Sequence, residues 1–125
     1  ATGSFSDFGD LAGVRDAAAG ASSNTRGLFM GGNDSGGYSN VIEYITIAST
    51  GNATDFGDLT LAAARVAAVS NKTRAVRGGG FNGSSGLNVM DYVEIATTGN
   101  ASDYGDLATG VLNSMGNSNA HGGLS

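Results

Sequence analysis

The sequence predicts an all-β protein assembled from a repeated unit of four short antiparallel strands. Three observations carry that prediction. The line TGNATDFGDL, residues 50–59, returns as TGNASDYGDL at 98–107 and, eroded, as TGSFSDFGDL at 2–11. The offset is 48 residues both times, and a fixed period of this size marks a solenoid, a propeller or an array. Between the copies the apolar runs are short, β-branched and aromatic, and they end in glycine or other turn residues.

Each element of the unit follows from its local composition. VIEYITIA, residues 41–48, reads as a strand with Val41, Glu43, Ile45 and Ile47 on one face and Ile42, Tyr44 and Thr46 on the other. STGN supplies turn residues, and ATDFGDL after it reads as the partner strand of a hairpin. LTLAAARVAAVS, residues 59–70, is rich in alanine, which favours helix. It has no capping box, however, and it ends at once in turn residues. We read it as a loop followed by a small-residue strand at 66–70, with a short helix as the alternative. TRAVRGGG, residues 73–80, is a fourth strand ending in glycines, and TRGLFMGG at 25–32 is its counterpart.

The alignment continues without gaps. Phe8, Phe56 and Tyr104 correspond, as do Tyr44 and Tyr92. Arg26 meets Arg74, and the pair Gly31 and Gly32 meets Gly79 and Gly80. The chain therefore reads as one repeat domain over residues 1–125, with repeats at 1–48 and 49–96 and a partial one at 97–125.

The bulk composition narrows the function classes. Net charge is −5, and the six basic residues are scattered, so a phosphate-neutralising surface and a nucleic-acid partner are not expected. There is no Cys, hence no disulfide frame and no thiol chemistry. No apolar run approaches the ~20 residues that a membrane-spanning helix needs, so no membrane insertion is expected. Much of the apolar content is Ala, so the core is expected from Val, Ile, Leu and a few aromatics.

Four short strands per unit, a double glycine and a recurring aromatic resemble the blade of a kelch-type β-propeller. In that resemblance residues 66–70 take the inner strand, and Arg65 takes the Arg before it. Gly79 and Gly80 take the double glycine, Tyr44 and Tyr92 the tyrosine place, and Phe56 and Tyr104 the place of the outer tryptophan. The chain departs from the pattern in lacking Trp and in a longer gap between the tyrosine and the outer aromatic. Repeats carrying TGNATDFGDL are also similar to those of large structural proteins of marine bacteriophages. The resemblance implies kelch-like blades, with Phe56 and Tyr104 packed between neighbours. It implies a non-enzymatic virion protein, a tail fibre, appendage or decoration. Its partners would be further copies of itself or the rest of a longer chain, other virion proteins and a host-surface glycan or protein. A secreted or surface bacterial interaction module is the alternative. At 48 residues per unit the chain holds about 2.6 units, fewer than the ~4–8 blades of a closed propeller. Either a longer chain or several copies would complete the ring or fibre.

Individual motifs add candidates. The D-[FY]-G-D pairs offer Asp55, Asp58, Asp103 and Asp106 as calcium ligands, helped by Asn52 and Thr54 or by Asn100 and Ser102. The pattern is not the EF-hand loop, and its plainer reading is Asp and Asn bonding their own turns. The glycine-rich stretches 31–37 and 78–86 lack the phosphate-loop signature. As connecting loops they are the expected recognition elements, with Asn33, Asp34, Tyr38, Phe81 and Asn82 as binding candidates. Arg26 and Arg74 are expected to pair with acidic residues of a neighbouring unit. His121 is the sole histidine, and with no Cys neither a catalytic residue nor a cofactor is expected. A copper oxidase on such a scaffold would need His, Tyr and Cys ligands together.

Overall fold

The computed structural model describes residues 2–116. Every regular element among them is a β-strand. In chain order they are β1 (Ala19–Ser22), β2 (Arg26–Met30), β3 (Asn33–Asp34), β4 (Gly37–Tyr38) and β5 (Val41–Thr46). There follow β6 (Thr54–Asp58), β7 (Ala67–Ser70), β8 (Arg74–Gly78), β9 (Leu87–Glu94) and β10 (Ser102–Val111). Two four-stranded antiparallel sheets result, ordered β1-β2-β5-β6 and β7-β8-β9-β10, and neither closes into a barrel. The expected four-strand unit is thus present twice. The β3–β4 hairpin, inside the first glycine-rich loop, is reduced in the second unit to the single bridge Phe81–Gly86, and it was not expected from the sequence.

The alanine-rich stretch before β7 is not helical. Its backbone groups bond to other segments instead. The Ala63 amide donates to the Ser39 carbonyl, Ala64 exchanges bonds with Phe81, and the Arg65 amide donates to the Ala17 carbonyl. With these tertiary partners the segment satisfies its polar groups without an i→i−4 ladder, which overrides the helix propensity of alanine. Arg65 itself has φ +57°, and Ala17 and Asn113 at the equivalent positions have φ +54° and +57°. The backbone therefore repeats every 48 residues even where the side chains differ.

The inner strands β1 and β7 run side by side. The Ser70 hydroxyl donates to the Ser22 carbonyl at 2.9 Å and accepts the Ser22 amide at 3.2 Å. Small residues at Ala19, Ala68 and Ala75 allow this approach. Around them Leu28, Met30, Ile42, Phe56, Leu59, Val66, Leu87, Val93 and Ile95 form one core that spans both sheets. By alternation the loops at 31–40, 59–66 and 79–86 leave one end of the sheets. The turns that follow β1, β5, β7 and β9 leave the other.

The outer aromatics do not behave alike. Phe56 is 3% exposed, whereas Tyr104, expected to be packed between neighbours, is 53% exposed. Each stacks edge-on against the tyrosine of its own sheet, Tyr44–Phe56 at 5.8 Å and Tyr92–Tyr104 at 5.9 Å. What differs is the cover: the second unit lies over Phe56, and no described residue lies over Tyr104 in the same way.

Candidate functional site

Three constellations stand out, and the first explains the repeated line. The Gly51 amide donates to the Phe8 carbonyl at 2.8 Å, the Ala53 amide to the Asp10 carbonyl at 2.8 Å, and the Asp10 amide to Asn52 Oδ1 at 3.0 Å. One repeat later the same three bonds recur. Gly99 donates to Phe56, Ala101 to Asp58, and Asp58 to Asn100 Oδ1, at 2.8, 2.8 and 3.0 Å. The T-G-N-A turn of each unit thus clasps the D-F-G-D edge of the unit before it.

The edge is shaped for this contact. Phe56 and Tyr104 sit where the ladder with the neighbouring strand shifts register, and such a bulge re-aims an edge strand. The next residue, Gly57, has φ +147°, and a Cβ there would overlap the Gly99 carbonyl. Gly9 meets Gly51 in the same way. Two independent reasons therefore require glycine: the backbone angle and the close approach of the next unit's backbone. Arg26 reinforces the junction. Its guanidinium lies 4.4 Å from the Tyr44 ring centroid and donates to the Ile95 carbonyl of the second unit at 2.8 Å. Arg74 repeats the stacking, 4.4 Å from Tyr92, but pairs with Glu94 of its own strand neighbour at 2.8 Å. Glu94 raises the already high pKa of that guanidinium, chiefly through the hydrogen bond. The expected pairing of these arginines with acidic residues of a neighbouring unit is therefore replaced. Arg26 crosses to a carbonyl, and Arg74 stays within its sheet.

The second constellation is a buried ion pair in each sheet. Arg77 lies 2.7 Å from Asp91, both side chains being fully buried, and Asp91 Oδ2 also accepts the Thr60 amide and hydroxyl at 2.9 and 2.6 Å. In the first sheet Arg15 lies 3.3 Å from Glu43, whose Oε1 accepts the Ala12 amide at 3.0 Å. Glu43 and Asp91 occupy equivalent repeat positions. Sequence reasoning placed Glu43 only as one member of a strand face. The usable signal was an acidic residue kept 48 residues apart within an otherwise apolar strand, VIEYITI and VMDYVEI. In that setting a carboxylate needs a buried cation.

The third constellation gathers the glycine-rich loops. Tyr38 and Phe81 meet edge to face at 5.8 Å, and the Arg65 guanidinium lies 5.7 Å from the Phe81 ring centroid. Tyr38 is 39% exposed. Asp34 and Asn82 hold their own turns: Asp34 Oδ1 accepts the Gly36 amide, and Asn82 Oδ1 accepts those of Ser84 and Ser85. Asn33 is tied through its backbone to Asp16. An open groove of about 820 Å³ runs beside them, lined by residues 13–16 and 33–36. All five loop candidates thus lie at this end of the sheets, with Asp34 and Asn82 holding their own turns.

The double glycines are close-approach points. The amides of Gly32 and Gly80 donate to the carbonyls of Ala63 and Val111, one repeat apart, at 2.9 Å each. The aspartates of the D-[FY]-G-D line do not converge. Among the described residues no three His, Cys, Asp or Glu come together as a metal site. His121 lies outside the described residues. No helix among the described residues is long and apolar enough to cross a membrane. No family model matches the chain, and no curated protein is significantly similar to it.

Proposed function

We propose that this chain is a non-enzymatic structural and adhesion module of a tailed-phage virion, in which kelch-like propeller blades hold recognition loops against a host surface. One observation carries the scaffold part of the reading. The same three-bond clasp joins successive units at a 48-residue interval, so each unit fixes the pose of the next. Two four-stranded meanders with adjacent inner strands are compatible with neighbouring propeller blades. The phage assignment rests on the sequence resemblance alone.

The adhesive part rests on the loop end. Tyr38 offers an exposed ring, and the neighbouring Asp34, Asn82 and Arg65 offer planar polar groups. An aromatic body beside a few polar groups is the chemistry with which proteins recognise sugars and polar peptide surfaces. Glycan-array and host-cell binding with the wild-type chain and with Tyr38→Ala tests this directly. Binding that falls at least tenfold in the variant supports the reading, and blank arrays and cells overturn its adhesive half. Capsid or tail genes beside the parent gene would support the virion assignment. A signal sequence or surface anchor encoded with it would support the bacterial interaction module instead.

A further inference from the structure

We propose that Arg65, held beside Tyr38 and Phe81, makes the loop end a site for an acidic sugar, its guanidinium receiving the sugar's carboxylate or sulfate. The inference rests on the adhesive reading above and names the charge class of its ligand.

The argument starts from the basic residues, all six of which lie among the described residues. Arg15, Arg74 and Arg77 are each paired with a carboxylate. Arg26 gives its guanidinium to the Ile95 carbonyl across the junction. Lys72 stands in the turn after β7, at the opposite end of the sheets. Arg65 is the cation that remains at the loop end. Its side chain is exposed, and among the described residues it has neither an acidic partner nor a hydrogen-bond acceptor. It lies instead 5.7 Å from the Phe81 ring centroid. The carboxylates of this end, Asp16 and Asp34, are beyond ion-pair distance of it. On a chain of net charge −5, such a guanidinium gives an anion a place to bind, and its planar fork matches a carboxylate or sulfate edge.

The rings beside it are fixed. Phe81 exchanges backbone bonds with Ala64, the residue before Arg65. Tyr38 meets Phe81 edge to face at 5.8 Å. A Cβ on Gly83 would come within 2.9 Å of Tyr38 Cε2, so the tyrosine ring lies against the backbone of the 81–86 loop. Asn82 Oδ1 holds that loop by accepting the Ser84 and Ser85 amides. A guanidinium and two rings thus converge from three segments, and little is left to order on binding.

The fold itself does not need this trio. Ala17 and Asn113 share the left-handed backbone of Arg65 without its charge. Asn33 fills the place of Phe81 in the first unit. Arg65 and Phe81 therefore occur together in one unit and are both replaced in the other. A sugar suits the surroundings better than an extended acidic peptide. The rim is made of tight turns whose amides at Gly36, Ser84 and Ser85 are already bonded, so no free strand edge is offered for a peptide to extend. The exposed part of Tyr38 supplies an apolar body for a pyranose, and Ser84 and Ser85 supply exposed hydroxyls.

A glycan array carrying uronate, sialylated and sulfated sugars beside their neutral counterparts tests the proposal, with a glutamate-rich peptide as a further probe. Carboxylate and sulfate arms separate the two sources of the anion. The wild-type chain is expected to bind at least one acidic sugar tenfold or more tighter than its neutral counterpart, and added salt to erase that preference. Arg65→Gln changes an exposed side chain without hydrogen bonds, and an unchanged amide NMR spectrum outside the loop end checks its fold. It is expected to bring acidic and neutral sugars within about twofold of each other, while Arg65→Lys keeps part of the preference. Equal binding of acidic and neutral sugars, or a preference that Arg65→Gln leaves intact, overturns this proposal and leaves the adhesive reading standing. Tighter binding of the peptide than of every sugar overturns it in favour of a protein partner. A blank array overturns both this proposal and the glycan-binding reading on which it rests.

Discussion

The two sheets neutralise the same buried carboxylate by different routes. In the first, Glu43 receives Arg15, which comes from the segment leading into β1. In the second, Asp91 receives Arg77, which comes from the middle of β8. The repeat equivalents are apolar: Ala63 stands where Arg15 does, and Phe29 stands where Arg77 does. Yet both guanidiniums finish in one place, since Arg15 donates to the Gly31 carbonyl and Arg77 to the equivalent Gly79 carbonyl, each at 3.2 Å. What the fold conserves is the position of a positive charge beside the double glycine. The residue that delivers it is free to move, and the carboxylate changes length to suit, Glu for the outside approach and Asp for the inside one.

The largest expected effect removes the inner route. Arg77→Met leaves Asp91 buried with only its Thr60 bonds, and breaking such a pair costs about 3–5 kcal/mol. Urea denaturation reads that loss. Arg15→Met is expected to cost less, because its pair is longer and its side chain is 6% rather than 0% exposed. The comparison sharpens with a transplant. Arg77→Phe combined with Ala63→Arg and Asp91→Glu rebuilds the first sheet's arrangement in the second. It should recover more than half of the stability lost by Arg77→Phe alone, and no recovery would show that the two routes are not equivalent.

A second pair of substitutions separates partner contact from backbone strain. Gly57→Ala and Gly105→Ala meet nearly the same φ, so each carries the strain of an L residue there, about 1–3 kcal/mol. Only Gly57→Ala also drives a Cβ into the Gly99 carbonyl. Its loss in dilute solution should exceed that of Gly105→Ala by about 2 kcal/mol, in the range of an overpacked site. Asn100→Ala removes one side-chain bond of the clasp and should cost about 1 kcal/mol. The smallest effect goes the other way. Ala17 sits at φ +54°, so Ala17→Gly should stabilise the fold by about 1 kcal/mol at most, read as a raised melting midpoint.

Much of this architecture was legible in the sequence, because the repeat writes each element more than once. The hairpin around the STGN turn, the small-residue inner strand and the strand before the double glycine all came from local composition and its 48-residue recurrence. The pairing between units was not legible. That residues 51–53 bond residues 8–10 is a long-range contact, and the glycine at position 57 discloses its partner only once the edge is bulged. The charge pairing was hidden for a different reason. Arg15 and Arg77 are not repeat equivalents, so aligning the units separates two residues that do the same thing. Tyr104 shows the limit of reading by equivalence: it shares its place with Phe56 but not its burial. At the loop end, Tyr38 and Phe81 were named from two separate stretches, and only the fold brings their rings together.

The central claim is that the repeated line is a clasp between units, and amide hydrogen exchange in dilute solution tests it most directly. The amides of Gly51, Ala53, Gly99 and Ala101 lie in exposed or half-buried turns, where protection must come from their bonds to the preceding unit. The account predicts that all four exchange slowly, while Gly3 and Phe5, their equivalents with no hydrogen-bond partner among the described residues, exchange at the rate of a free peptide. Gly51 and Gly99 exchanging as fast as Gly3 would contradict it.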